Sequence, residues 1–288
     1  MSILAAQNPL ESRFPEKLVA LPSGATVAVR IAGHQDEGPS VVLLHGISSG
    51  AASWLHTVMA VQAPLHLVAW DAPGYGQSSP LVEAAPTDAD YADCLGDCLA
   101  AMGIGRCVVV GHSLGALIAC AYARGRGQET LDRLVLISPA GGYGSPHKTA
   151  QREKVRAERR QALAQLGVNA LAERTAPRLL TPDASADQLA WVRWNAQRLN
   201  PGGYLQAVEL LCQSDLGTSK DLGLPIEVHC GDADIVTSPD ACRAWAAQWS
   251  APFHLIAAAG HASPTEQAPA VAQIITNAAL AQAHHAQH

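Results

Sequence analysis

The sequence has no apolar run near the roughly 18 residues that a membrane-crossing helix needs. Residues 1–17 contain Glu11 and Glu16 but no basic cluster followed by an apolar block, so no secretory signal is expected and a cytoplasmic location is the default. The seven cysteines, at 94, 98, 107, 120, 212, 230 and 242, are odd in number and form no CxxC pair. That disfavours a zinc ribbon, and the thiols read as small buried hydrophobes. Charge is sparse, at 15% of residues, and lacks a basic excess: 19 Lys+Arg stand against 25 Asp+Glu, a net of −6. This balance offers no footing for nucleic acid or an anionic membrane surface. No internal repeat is present. Biased composition is confined to the His/Ala/Gln tail at 284–288, where disorder is expected and metal binding is not.

The apolar share is 48% over 288 residues, which describes a globular chain able to bury a core without disulfides or metals. Its length allows one large domain, or one plus an insertion. Short β-rich runs alternate with helical patterns. Strands are expected at 17–21, 26–32, 40–44, 65–70, 106–110, 134–137, 226–230 and 252–257, the first two joined by a Pro22–Ser23–Gly24 turn. Helical periodicity occupies 88–102, 114–124, 239–249 and 264–283. This alternation predicts a three-layer α/β fold with a mostly parallel eight-stranded sheet.

One stretch breaks the alternation. Between 142 and 221 only helical patterns occur, at 149–166, 169–179, 186–199 and 202–213. A helical insertion of this kind would form a lid over the sheet's edge. Residues 141–224 carry 11 basic and 8 acidic side chains, whereas the remainder carries 8 and 17, so a +3 lid sits on a −9 core. The basic residues crowd at Lys148, Arg152, Lys154, Arg156, Arg159 and Arg160, either as a solvated amphipathic face or as help in holding an anionic substrate.

The densest chemical signal is Gly111-His112-Ser113-Leu114-Gly115, a G-x-S-x-G between a strand and a helix. The tight turn would raise the Ser113 hydroxyl above the strand end, at a helix N-terminus whose dipole favours developing negative charge. A serine oxygen needs a base. His261 is the best placed, after a strand in Ala-Ala-Gly-His and before a helix; His45 and His112 sit in glycine motifs, and His229 and His254 fall inside strands. An acid must orient that imidazole. Asp232 and Asp234 both follow a strand, and spacing after Gly231 favours Asp234, with Asp232 as a turn former. The backbone amides of Ile47, after His45-Gly46, and of Leu114 are the candidate oxyanion donors. Candidate pocket residues are Trp54, Trp191, Trp194 and Tyr204, since aromatic groups commonly line clefts, with Arg152, Arg156 and Arg193 to meet a substrate carboxylate. Tyr75 reads as a turn side chain.

HGISSG (45–50), DAPGYGQS (71–78), GHSLG (111–115), GDADIVTSP (231–239) and GHASPTEQAP (260–269) together resemble the α/β-hydrolase family across essentially the whole chain. The resemblance implies a core at 1–140 and 222–288 and a helical cap at 141–221, inserted after the sixth strand. It also implies Asp234 as the acid, three residues after the glycine. Dehalogenases of this fold use an Asp nucleophile, which Ser113 argues against. Enol-lactone hydrolases carry a segment similar to Pro201-Gly202-Gly203-Tyr204 through Ala207 to Asp215-Leu216, and one similar to His261-x-Ser263-x-x-Glu266-Gln267. Carbon–carbon hydrolases of ring-cleavage products share the spacing of Gly50 and Trp54, but here Ser48 and Ser49 replace their Gly-Pro and His112 replaces their Asn. The expectation is a serine hydrolase of an ester or enol-lactone bond in a small carboxylated substrate. The alternatives are a general carboxylesterase, a carbon–carbon hydrolase and a non-catalytic ligand-binding homologue. No cofactor or metal is expected, the partner is a small molecule, and the protein is a monomer or homodimer.

Overall fold

Runs of Val, Leu and Ile become strands where both faces of a sheet are covered, because a branched side chain packs well on a pleated surface. The computed structural model describes residues 3–281 and forms one sheet from β1 (Glu16–Ala20), β2 (Thr26–Ala32), β3 (Ser40–Leu44), β4 (His66–Trp70), β5 (Cys107–His112), β6 (Leu131–Ile137), β7 (Ile226–Gly231) and β8 (Phe253–Ile256). The order is β1-β2-β4-β3-β5-β6-β7-β8. β2 pairs antiparallel with β1 and β4, and every other pairing is parallel. The eight-stranded, mostly parallel α/β architecture read from the sequence is the one formed.

Alternation along each central strand feeds two cores. Val42, Leu44 and Val109 pack on one face against α3 (Asp88–Ala101) and α4 (Leu114–Arg124). Val41, Leu43 and Val110 pack on the other against α2 (Leu55–Ala60) and α10 (Ala268–Leu280). α8 (Pro239–Gln248) adds Cys242 and Ala246 to the first core. Six of the seven cysteines are buried and Cys94 is half-buried, and all are free. Burial pushes the Cys107 and Cys120 thiols up to about 12.

Between β6 and β7 lie α5 (Thr149–Thr175), α6 (Ala186–Gln197) and α7 (Pro201–Gln213). α5 joins two expected helices across a kink at Gly167, whose φ of 68° and ψ of 172° are non-helical. α7 lies directly on the loop after β4. A Cβ on Gly203 would fall 2.0 Å from the Gly74 carbonyl oxygen, so only glycine permits that approach. Gln206 then donates to the carbonyls of Leu81 and Glu83, each at 2.8 Å.

Three features depart from the sequence expectations. α1 (Ile3–Ser12) was not expected; Arg30 of β2 caps its end by donating to the Leu10 and Phe14 carbonyls at 3.2 and 2.9 Å. The short α2 was also missed. The expected C-terminal helix is broken at Gln267 (φ −121°, ψ 47°) into α9 (Ser263–Glu266) and α10. No helix among the described residues is long and apolar enough to cross a membrane. The tail at 284–288 lies outside the described residues.

Candidate active site

The site sits at the carboxyl ends of the strands, under α5–α7. β5 ends at His112, and Ser113 takes φ 54° and ψ −114° before α4 begins. A positive φ on a serine is strained. Its amide donates to Ile137 O at 3.0 Å, and its carbonyl accepts from Ala116 and Ala140 at 3.1 Å each, so backbone bonds on both sides hold the strain. Gly115 lets α4 approach β3: a Cβ there would lie 2.5 Å from Leu44 O.

Ser113 Oγ is 2.9 Å from His261 Nε2, and His261 Nδ1 is 2.8 Å from Asp234 Oδ2. Nδ1–H donates to the carboxylate, which leaves Nε2 to accept from the serine hydroxyl. Asp234 Oδ1 accepts the amides of Val236 at 2.7 Å and Thr237 at 3.0 Å, and Thr237 Oγ1 lies 3.0 Å from Oδ2. Burial works against the Asp234 charge. The hydrogen bond and charge of His261, with help from Ser138 and the Thr237 amide, outweigh it and hold the carboxyl down at about 2. Asp232 instead accepts the Ala259 amide at 3.2 Å, bracing the loop that leads to His261.

Ile47 and Leu114 both line the cavity beside Ser113. Neither amide donates to a protein acceptor among the described residues. The Gly46–Ile47 peptide is oriented by His45. Its Nε2 accepts the Ala72 amide at 3.0 Å, so Nδ1 carries the hydrogen and donates to Gly46 O at 2.8 Å. With that carbonyl held at the ring and the peptide trans, the Ile47 N–H points the opposite way. Tyr75, expected to be a turn side chain, is buried and donates its hydroxyl to Ile47 O at 2.8 Å. Burial keeps the His45 ring neutral by lowering its pKa and raises the Tyr75 phenol well above its usual value.

Two supporting residues had no role in the sequence reading. His112 Nε2 donates to His261 O at 2.8 Å, and its ring stands 5.0 Å from that of His261. Burial, with the nearby His261 charge, lowers the His112 pKa to about 3. Glu266 accepts the Thr181 amide and hydroxyl at 2.7 and 2.8 Å, and the Gly260 amide at 2.7 Å. It ties the segment before α6 to the loop bearing His261. The motif His261-x-Ser263-x-x-Glu266-Gln267 contains it but says nothing of this tie, because one of its partners is 85 positions away.

A cavity of about 590 Å³ opens at Ser113, walled by Ile47, Tyr143, Arg159, Val192 and Trp245. The expected pocket residues are placed differently. Trp54 is 1% exposed, packed edge-on to His112 in the second core. Trp191 is buried and stacks on Trp194, with centroids 4.8 Å apart; Trp194 in turn holds Arg198 over its ring. Arg152 meets Glu153 at 3.4 Å, Arg156 meets Glu209 at 3.0 Å, and Arg193 meets Glu173 at 2.9 Å. These six lie outside the cavity wall: Trp54 packs in the core before α2, and α5 and α6 turn the other five toward the core, each other or neighbouring carboxylates. Tyr204 lines only a side chamber, where its hydroxyl accepts from Arg159 at 3.1 Å.

An eight-stranded, mostly parallel α/β sheet with a hydrogen-bonded Ser–His–Asp chain at its strand ends defines a broad class of proteins. A family model described as the alpha/beta hydrolase family matches residues 41–274, and the chain belongs to that family. Among curated relatives, an uncharacterised protein of Mycobacterium tuberculosis is 35% identical over 114 residues, which cover 40% of this chain and 32% of that protein. The chain thus spans about a third of the length of the first curated relatives it matches. The (E)-2-((N-methylformamido)methylene)succinate hydrolase of Acinetobacter baylyi is 28% identical over 185 residues, 63% of this chain and 66% of the relative. A malate-bound thermophilic esterase from Thermogutta terrifontis superposes with TM-score 0.78 at 24% identity, covering 91% of this chain and 97% of that one. The enol-lactonase from Burkholderia xenovorans LB400 gives 0.78 at 23%, covering 91% and 99%. At these identities the structural likeness is one of fold.

Proposed function

We propose that the protein is a serine hydrolase that cleaves an ester or enol-lactone bond in a small substrate through an acyl-enzyme on Ser113. The observation that carries this reading is the continuous Ser113–His261–Asp234 chain, at 2.9 and 2.8 Å, beside two amides without protein acceptors among the described residues. His261 Nε2 takes the Ser113 proton as Oγ attacks the acyl carbon, and Asp234 stabilises the resulting imidazolium. The Ile47 and Leu114 amides receive the oxyanion, each worth on the order of 3 kcal/mol in the transition state. The leaving oxygen departs with the proton from His261. Water then adds its oxygen to the acyl carbon and gives a proton to His261, which passes it to Ser113 Oγ as the bond from Oγ to the acyl carbon breaks and the carboxylic acid leaves. In this reading residues 141–221 act as a cap over the acyl site, and 1–140 with 222–288 as the catalytic core. The name of the Acinetobacter succinate-derivative hydrolase supports a small acidic substrate, and that of the enol-lactonase supports an enol-lactone bond.

Ser113→Ala tests the reading. Turnover of a p-nitrophenyl ester should fall by about 10⁴-fold or more, and fluorophosphonate labelling should vanish, with thermal stability retained. Wild-type turnover in the variant overturns the nucleophile. A wild-type protein that takes up no fluorophosphonate would instead be a non-catalytic ligand-binding homologue.

A further inference from the structure

Two groups of basic residues in the α5–α7 segment differ in what they touch. Arg156 and Arg160 converge on Glu209, at 3.0 and 3.4 Å, and Arg193 pairs with Glu173. Lys148, Arg159 and Arg178 instead face the cavity that holds Ser113, and no Asp or Glu lines that chamber among the described residues. Arg159 touches only the Tyr204 hydroxyl, at 3.1 Å, and Lys148 Nζ donates to Gly142 O at 3.1 Å; neither has a carboxylate partner among the described residues. Arg178 makes no ion pair or hydrogen bond among them. A side chamber of about 240 Å³ shares Ser48, Tyr143, Arg159, Thr175 and Arg178 with the main one, so the two adjoin. It adds Arg174, with Glu158 as its sole acid among the described residues, and Glu158 has Lys154 at 3.9 Å.

Arg159 and Lys148 are half-buried and Arg178 is exposed where they meet the cavity, and cations of one sign left without carboxylates around a concave opening focus a positive potential on whatever enters. A guanidinium presents five N–H donors in a plane that matches a carboxylate, and Tyr204 uses one of those of Arg159. Tyr204 is 2% exposed, so it fixes the direction in which Arg159 can reach.

We propose that Arg159 and Arg178, assisted by Lys148, form an anion subsite, and that the substrate carries a carboxylate remote from the bond cleaved at Ser113. This rests on the reading of Ser113 as nucleophile, and it names the substrate class of that site. The carboxylate belongs to the acyl or the leaving portion, and matched esters separate the two. p-Nitrophenyl hemiglutarate against p-nitrophenyl butyrate probes the acyl side, and 4-carboxyphenyl butyrate against phenyl butyrate probes the leaving side.

In one of these pairs the charged ester should be favoured in kcat/KM by about tenfold or more, through KM, and the preference should shrink at about 0.5 M salt. Arg159→Met and Arg178→Met should each lower the charged ester several-fold more than its neutral mate, with Arg159→Lys intermediate. The proposal is overturned if no charged ester is preferred, or if the arginine variants lower both members of a pair equally. Fluorophosphonate labelling reports separately on Ser113. If neither labelling nor turnover occurs, glutarate titrated into the protein decides the subsite: binding that Arg159→Met weakens sustains it, and no binding removes it.

Discussion

Ser113 is held in a backbone conformation that costs a serine energy, and three backbone hydrogen bonds maintain it. His112, its neighbour, makes the clearest pH prediction. Burial, then the His261 charge, lowers the His112 pKa from 6.5 to about 3. Its neutral form is the one folding favours. The unfolded chain takes up a proton near 6.5 and the folded chain only near 3, so this stability is full above pH 6.5 and falls as pH drops toward 3. Asp234, lowered from 3.8 to about 2, adds a loss of the same sign between those values. His112→Gln retains an N–H donor for the His261 carbonyl but does not titrate. Its melting temperature, followed by calorimetry from pH 6.5 down to 4, should decline less steeply than that of the wild type; a slope equal to wild type contradicts the assignment. Ser113, Asp234 and His261 were legible because each sits in a short local motif at a strand end. Arg159 was named only within a basic cluster and Arg178 not at all, because which face of α5 and its C-terminal continuation meets the cavity is decided by packing on α7 and α6.

At the scale of elements, the join between α7 and the loop after β4 rests on absent side chains. Gly203→Ala places a methyl 2.0 Å from Gly74 O, and backbone on both sides leaves it no room. Urea unfolding should show a loss of about 2 kcal/mol or more, with the ester KM also altered as α7 moves; an unchanged midpoint would show that the contact relaxes freely. Strand existence and order of elements were readable from apolar runs and turn residues. The missed elements have tertiary causes. α1 is held by Arg30 from β2, and the break at Gln267 keeps Glu266 folded back on Gly260 and Thr181.

For the whole molecule, the α5–α7 segment and the sheet share one apolar cluster. Tyr204, Val208 and Leu211 of α7 and Leu163 of α5 join Val42, Leu136 and Val228 of the strands. Segment and sheet should therefore unfold together. A single calorimetric transition whose van't Hoff and calorimetric enthalpies agree is expected, and two resolved transitions would refute the shared core. The net charge of −6 hides a split that became meaningful only in three dimensions. Among the described residues, Arg152, Arg156, Arg160 and Arg193 of the basic segment pair with carboxylates of that same segment, whereas Arg159 and Arg178 face the cavity, Arg174 faces the side chamber and Arg198 lies over Trp194. By itself the sequence determined the α/β architecture, the strand count and the three residues that meet at the strand ends, because hydrophobic period, turn chemistry and nucleophile motif are local properties. Only the tertiary structure decided which aromatic and basic side chains line the cavity. A helix exposes several faces of similar composition, and contacts between residues far apart in the chain, such as Gln206 and Leu81 at 125 positions, select the one turned inward.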